Sequence, residues 1–307
     1  MTRGFTGLLR LSPEVERALI RSQPVVALET SVVAHGLPHP HGIEVARACE
    51  ERVREQGAVP ATIAIVDGTV RVGIGDDELE RLATEDNVRK VSPRGLAPAV
   101  VAGGLGATTV AGTLAVCRVA GIHFMATGGI GGVHRGWQET RDVSADLFEM
   151  SFAAVCVVCS GAKSLLDVPA TLEELETRGI PVIGYGTDTF PLFLQRDSGL
   201  PLPDRADDPV TVAVAAATHW GFARGSGLIV AQPVAREAEL TADAADEALA
   251  AALAEAQDRG LRGAEVTPYV LGRMHELTDG RSLTANTRLI EDNAALAAQI
   301  AVAYYAE

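Results

Sequence analysis

Lysine is almost missing from this chain. Of 26 basic residues in 307, two are lysine, Lys90 and Lys163, and 24 are arginine. Positive charge as a whole is also scarce: 40 acidic residues leave a formal net charge of −14. Such a surface repels polyanions and excludes coating of a nucleic acid or an anionic membrane, while a small phosphate can still be held in a local pocket. Cysteine is limited to four residues, which with no secretory start suits a reducing, cytoplasmic setting better than a disulfide framework. The start MTRGFTGLLRL lacks the apolar centre of a signal peptide. Charge is absent altogether between Arg94 and Arg118, over a length that could span a bilayer. Yet this stretch holds Gly95, Pro98, Gly103, Gly104, Gly106 and Gly112 and is rich in Ala and Thr, so it reads as a glycine turn feeding a buried helix.

Apolar residues are plentiful, at 47%, and their pattern sets the fold class. Short apolar runs at Val25–Leu28, Ala61–Val66, His123–Ala126, Ala154–Val158, Pro181–Tyr185 and Gly227–Ala231 read as strands buried on both faces. Between them lie helical patterns at Glu44–Gln56, Asp76–Ala83, Thr171–Arg178 and Asp243–Arg259, then from Thr267 to the end with a break at Asp279–Gly280. This alternation predicts an α/β fold with a central, mostly parallel sheet, while the length leaves one or two domains open. Arg196 to Pro209, rich in Pro and Asp, reads as a surface excursion. Glu29, Gly128–Gly129 and Lys163 fall just beyond the carboxyl ends of three strands, the edge at which open α/β sheets bind ligands.

A chain that uses Arg for nearly every positive charge makes its lysines informative. Arginine stays protonated, whereas lysine in a dry pocket can act as a nucleophile or sit on phosphate as a compact charge. Lys163, in VVCSGAKSLLD, follows a buried strand at the start of a helix, where desolvation and the helix N-terminus both favour the neutral amine. Glu29 ends an apolar strand and is either a proton-transfer group or half of a buried pair with Arg. The run ATGGIGGVHRG, residues 126–136, could offer backbone N–H groups to an anion, beside His134 and Arg135. In RDVSADL, Asp142 and Asp146 flank Ser144; the segment could supply a metal ligand, and a helix N-cap is the commoner meaning. His35, His39 and His41 read as a loop rather than a zinc site, and Cys156 and Cys159 as buried thiols rather than a redox pair.

Ten segments carry a resemblance: VVALETSVVAHGLPHP, GAVPATIAIVDG, RKVSPRGL, GATTVAGT, FMATGGIGGVHRG, DVSADL, VCSGAKSLLD, PVIGYGTD, EVTPYVLGRMHELTDGRSLTAN and EDNA. In this order, from about residue 10 to the end, they resemble the pseudouridine-5′-phosphate glycosidase family, which includes indigoidine synthase A-like proteins. The resemblance implies reversible cleavage of pseudouridine 5′-phosphate to uracil and ribose 5-phosphate, with a divalent cation, usually Mn2+, in a homotrimer whose subunits are each one α/β/α layered domain, here residues 1–307. It implies Glu29 as proton donor and Lys163 as the nucleophile that forms a covalent adduct at C1′. It further implies Lys90, Val110, Ser144, Ala145 and Asp146 as substrate contacts, Asp142 as metal ligand, and His134 and Asn286 in support. The chain departs from the family's usual residues at Gly95, at His39 and His41, and at Gln232–Ala235. Two other readings remain open: a Schiff-base lyase or aldolase on another sugar phosphate through Lys163, and a non-catalytic phosphosugar-binding subunit.

Overall fold

Strand-forming apolar runs and amphipathic helices alternate along the computed structural model, which describes residues 9–222, 225–261 and 263–306. The first eight residues, which carry most of the argument against a signal peptide, lie outside that set. In chain order the elements are β1 (Leu9–Leu11), α1 (Pro13–Ile20), β2 (Val25–Leu28), a π-helical turn (Val32–Gly36), α2 (His41–Glu55), β3 (Val59–Val66), β4 (Thr69–Val72), α3 (Asp76–Thr84), β5 (Arg89–Val91), α4 (Pro93–Ala102), β6 (Gly106–Thr108), α5 (Val110–Ala120), β7 (Phe124–Ala126), α6 (Trp137–Thr140) and α7 (Ala145–Met150). There follow β8 (Cys156–Cys159), α8 (Val168–Thr177), β9 (Val182–Tyr185), β10 (Asp204–Ala206), α9 (Pro209–Gly221), β11 (Leu228–Ala231), α10 (Ala242–Asp258), α11 (Val266–Leu277) and α12 (Arg281–Tyr305).

The strands among the described residues join in one sheet, ordered β1-β4-β3-β2-β7-β8-β11-β9-β10, with β6 on β3 and β5 on β6. From β3 to β10 along this path every pairing is parallel. The antiparallel exceptions are β3–β4 and β3–β6. Strands β2, β7, β8 and β11 are buried at every residue, as expected when helices cover both faces. On one side α12 packs along β2, β7 and β8 and against α2 and α9; α5 packs on β2 and against α7. The α/β/α expectation holds.

Register fixes the site. Leu28 lies level with Ala126, Ala126 with Val158 and Val158 with Val230. Residues that follow these positions therefore emerge together at one edge. The fully buried Asn293 of α12 secures that edge, its Nδ2 donating to the Thr127 carbonyl at 2.9 Å and to Ser160 Oγ at 3.1 Å. A buried Asn in a helix that is otherwise Ala- and Leu-rich is thus satisfied by the sheet it packs on.

The uncharged stretch from Arg94 to Arg118 resolves into α4, β6 and α5. Thr109 caps α5 by accepting from Gly112 N–H, and Gly121 ends it in the left-handed conformation. Among the described residues no helix is long and apolar enough to cross a membrane. The excursion from Arg196 to Pro209 is partly corrected: Asp204–Ala206 adds an edge strand to β9, and Pro209 opens α9 behind the N-cap Asp208. Asp279 and Gly280 do separate α11 from α12, both at positive φ.

Candidate active site

Glu29 emerges from β2, 9% exposed, and its partners are hydroxyls rather than an arginine. Ser31 Oγ donates to Oε2 and Thr127 Oγ1 to Oε1, each at 2.5 Å. The Arg-paired alternative is therefore set aside. Two neighbouring oxygens orient the carboxyl group without neutralising it through a cation.

Lys163 is placed by two strand-end loops that zip together. Ile130 N–H donates to the Gly161 carbonyl at 3.0 Å, and Lys163 N–H donates to the Ile130 carbonyl at 3.1 Å. Gly161 sits at φ +80°, and a Cβ there would strike the Pro191 carbonyl, so only glycine fits. One expectation needs correction: α8 begins at Val168 behind the N-cap Asp167, whose carboxylate takes Ala170 N–H. Lys163 thus stands in the loop ahead of the helix, whose N-terminus serves Asp167.

Both groups line one cleft, together with Lys90, Gly128, Phe193, Asn286 and Ile290. Thr267, Pro268 and Leu271 of α11 border it, and His35 and Gly36 enter from the π-helical turn. Gly128 keeps the floor open; a Cβ there would meet Ile290 at 2.8 Å. Lys90, on β5, is held below the ordinary lysine range by loss of solvation and by the charge of Lys163, with Glu29 and Asp146 opposing. His35 is also pushed down, by burial first and then by Lys90, so its imidazole is neutral near pH 7. Two buried polar atoms of cleft-lining residues, His35 Nε2 and Asn286 Oδ1, have no hydrogen-bond partner. Unpaired buried polar atoms are costly, and here they offer two hydrogen-bonding positions to a bound molecule.

The remaining expected residues form a second group beside the cleft. Asp146, 6% exposed, accepts Ala111 N–H at 2.9 Å and Gly131 N–H at 2.8 Å. The anion facing this glycine loop is therefore the protein's own carboxylate, which ties the start of α5 to the loop after β7. Ser144 is the N-cap of α7, accepting Asp146 N–H, with exposed Ala145 next to it. Val110 is the buried first residue of α5. None of these four lines the cleft, although Asp146 is near enough to act on Lys90. His134 Nδ1 lies 3.9 Å from Asp142 Oδ2 on the outer loop. His39 and His41 flank Pro40 at the start of α2, and Cys156 and Cys159 are fully buried thiols, pushed upward by burial.

His35, Thr127 and Phe193 join the cleft without having been singled out as binding or catalytic residues. Thr127 was within reach, because it follows Ala126 as Glu29 follows Leu28, and those two residues are paired.

Comparison with known proteins extends this geometry. Residues 14–303 match the family described as "Indigoidine synthase A like protein". The chain belongs to this family. A member from Methylobacterium nodulans, named pseudouridine-5′-phosphate glycosidase, is 51% identical over 96% of this chain and 88% of its own. One of the same name from Herpetosiphon aurantiacus is 50% identical over 97% and 98%. Among solved structures, the prealnumycin C-glycosynthase AlnA in complex with ribulose 5-phosphate superposes with a TM-score of 0.89, at 38% identity and 97% of both chains. The indigoidine synthase A-like protein of Thermotoga maritima gives 0.87, at 38% identity and 96% of both.

The donor set can also be tested against a divalent cation. No cluster of three His, Cys, Asp or Glu side chains forms among the described residues. A hard cation that keeps several waters can bind through one carboxylate plus a substrate phosphate; Asp142, half-exposed beside His134, is the carboxylate that would serve, and it does not line the cleft.

Proposed function

We propose that the protein reversibly cleaves the carbon–carbon glycosidic bond of pseudouridine 5′-phosphate, giving uracil and ribose 5-phosphate. The observation that carries this reading is the meeting of the Glu29 carboxyl and the Lys163 amine in one cleft, in a family whose members bear that activity in their names. A carbon–carbon bond cannot leave as an ordinary glycoside does, so the sugar needs an electron sink at C1′. Lys163, as free amine, attacks C1′ while Glu29 gives its proton to the ring oxygen and the ribose opens. A proton from the adduct nitrogen passes to uracil C5 as the nitrogen lone pair forms the imine and the C1′–C5 bond breaks. Water then hydrolyses the imine, freeing Lys163 and releasing a proton to solvent, and Glu29 takes up a proton again before the next turnover.

Lys90 serves as a point charge for the phosphate, with Ser144 to Asp146 and Val110 on the same side. Asn286 and His35 present their unpaired atoms to the substrate, and His134 supports the outer loop. A divalent cation, Mn2+ by family resemblance, would be held by Asp142 and water, where it would supply charge for the phosphate. The homotrimer and the cytoplasmic setting belong to the same proposal. Incubation of purified protein with pseudouridine 5′-phosphate and Mn2+ should release free uracil; intact substrate after prolonged incubation contradicts the reading. The likeness to a C-glycosynthase solved with a pentulose phosphate favours one second reading, lyase chemistry on another sugar phosphate. Lys163 adduct formation from ribose 5-phosphate without any pseudouridine cleavage would select it.

A further inference from the structure

A small chamber lies behind Glu29, beneath the floor of the cleft. It shares Glu29, Thr127, Gly128 and Ile290 with the cleft and runs between the sheet and α2 to reach Thr62. Thr62 belongs to β3, level with Leu28 of β2, and is 1% exposed. Its hydroxyl donates to Glu50 Oε1 on α2. Glu50 in turn lines a separate pocket open to the outside, with Glu14, Arg54 and Asp76 around it. The nearby cations are engaged elsewhere, Arg54 by Glu14 and Arg47 by Asp76 and Glu80. A carboxyl group, a hydroxyl and a polar-ended chamber thus connect outer solvent to the rear of Glu29, on the side away from the cleft.

We propose that Thr62 and Glu50 form the route by which Glu29 exchanges its proton with solvent while substrate fills the cleft. This rests on the reading of Glu29 as proton donor. Glu50 passes a proton to the Thr62 oxygen as the Thr62 hydroxyl gives its own to a water in the chamber. That water delivers one to the Glu29 carboxylate, and solvent in the outer pocket restores Glu50; each group ends as it began. Glu29, Thr62 and Thr127 supply the polar partners such a water needs. The groups facing Glu50 are Thr62 on β3, Arg54 on its own helix, Asp76 at the start of α3 and Glu14 on α1. Burial raises the Glu50 carboxyl above the ordinary carboxylate value, Thr62 and Arg54 lower it, and Asp76 and Glu14 add to the rise.

The test uses uracil release by Glu50→Gln, Glu50→Ala and the near-isosteric Thr62→Val, with Glu29→Gln as reference. Glu50→Gln and Thr62→Val should each lower kcat about 100-fold, the low end for general acid–base proton transfer, with KM within about twofold of wild type. Formate should restore Glu50→Ala through the outer pocket and leave Thr62→Val unchanged, a split that loss of packing would not produce. Should Glu50→Gln fail to fold, Thr62→Val and the formate experiment decide alone. Wild-type kcat in folded Thr62→Val, or absence of formate rescue in Glu50→Ala, overturns the route. If Glu29→Gln is inactive in that case, the reading of Glu29 survives; if Glu29→Gln turns over normally, both fall.

Discussion

Thr127 and Glu29, 98 residues apart in sequence, stand side by side at the ends of β7 and β2, the Thr127 hydroxyl donating to Glu29 Oε1 at 2.5 Å. Ser31 holds the other carboxyl oxygen. The carboxyl group is therefore fixed by parallel strand register as well as by its own rotamer, which is how a proton donor keeps its aim.

Glu29→Gln keeps side-chain size and most of these contacts but has no proton to give. Turnover should fall at least about 100-fold with substrate binding retained. Steady-state kinetics together with a binding titration checks this, and a variant near the wild-type rate would make Glu29 structural.

The central strands were legible because β2, β7, β8 and β11 are buried on both faces and read as continuous apolar runs. Short edge pieces such as β1, β5 and β10 were not, since pairing rather than pattern makes them strands. Helix α9 hid behind Pro209 and a run of Val and Ala without a clear polar stripe. Glu29 and Lys163 stood out as charged residues at strand ends. His35 was legible only as part of a histidine-containing loop, because a π-helical turn carries it to the cleft, and sequence spacing gives no sign of that turn. Asp146 lay in a recognised motif, yet its two backbone partners come from α5 and the loop after β7, which only the fold brings together.

Asp146→Ala removes the acceptor for the Ala111 and Gly131 N–H groups. The loss should cost about 2–4 kcal/mol, as expected for stranding buried donors. Urea unfolding reads it directly, and an unchanged midpoint would show that water replaces the carboxylate.

Acid should weaken the fold through His35. Its folded-state pKa lies below the ordinary value of about 6.5, so the unfolded chain binds the proton first, and the His35 contribution, present above that value, is lost as pH falls toward the folded pKa. His35→Gln should narrow the difference in unfolding midpoint between pH 7.5 and pH 5.5, values that bracket about 6.5. A difference equal to wild type would remove His35 as a source.

Exhaustive chelation should abolish uracil release, and added Mn2+ should restore it. Asp142→Asn should raise the Mn2+ concentration needed for half-maximal activity by at least about tenfold, as weaker charge on a hard-cation ligand implies. Full turnover in the chelated enzyme would exclude the requirement.

The covalent role of Lys163 is tested most directly by Lys163→Arg, a replacement that keeps the positive charge but supplies no free amine at neutral pH. Borohydride added during turnover of the wild-type protein should leave a reduced pentose phosphate adduct on the peptide carrying Lys163, detected by mass spectrometry. Lys163→Arg should bind the substrate, form no adduct and release no uracil. Uracil release by Lys163→Arg at near wild-type rate would contradict the account and leave Lys163 as an electrostatic anchor.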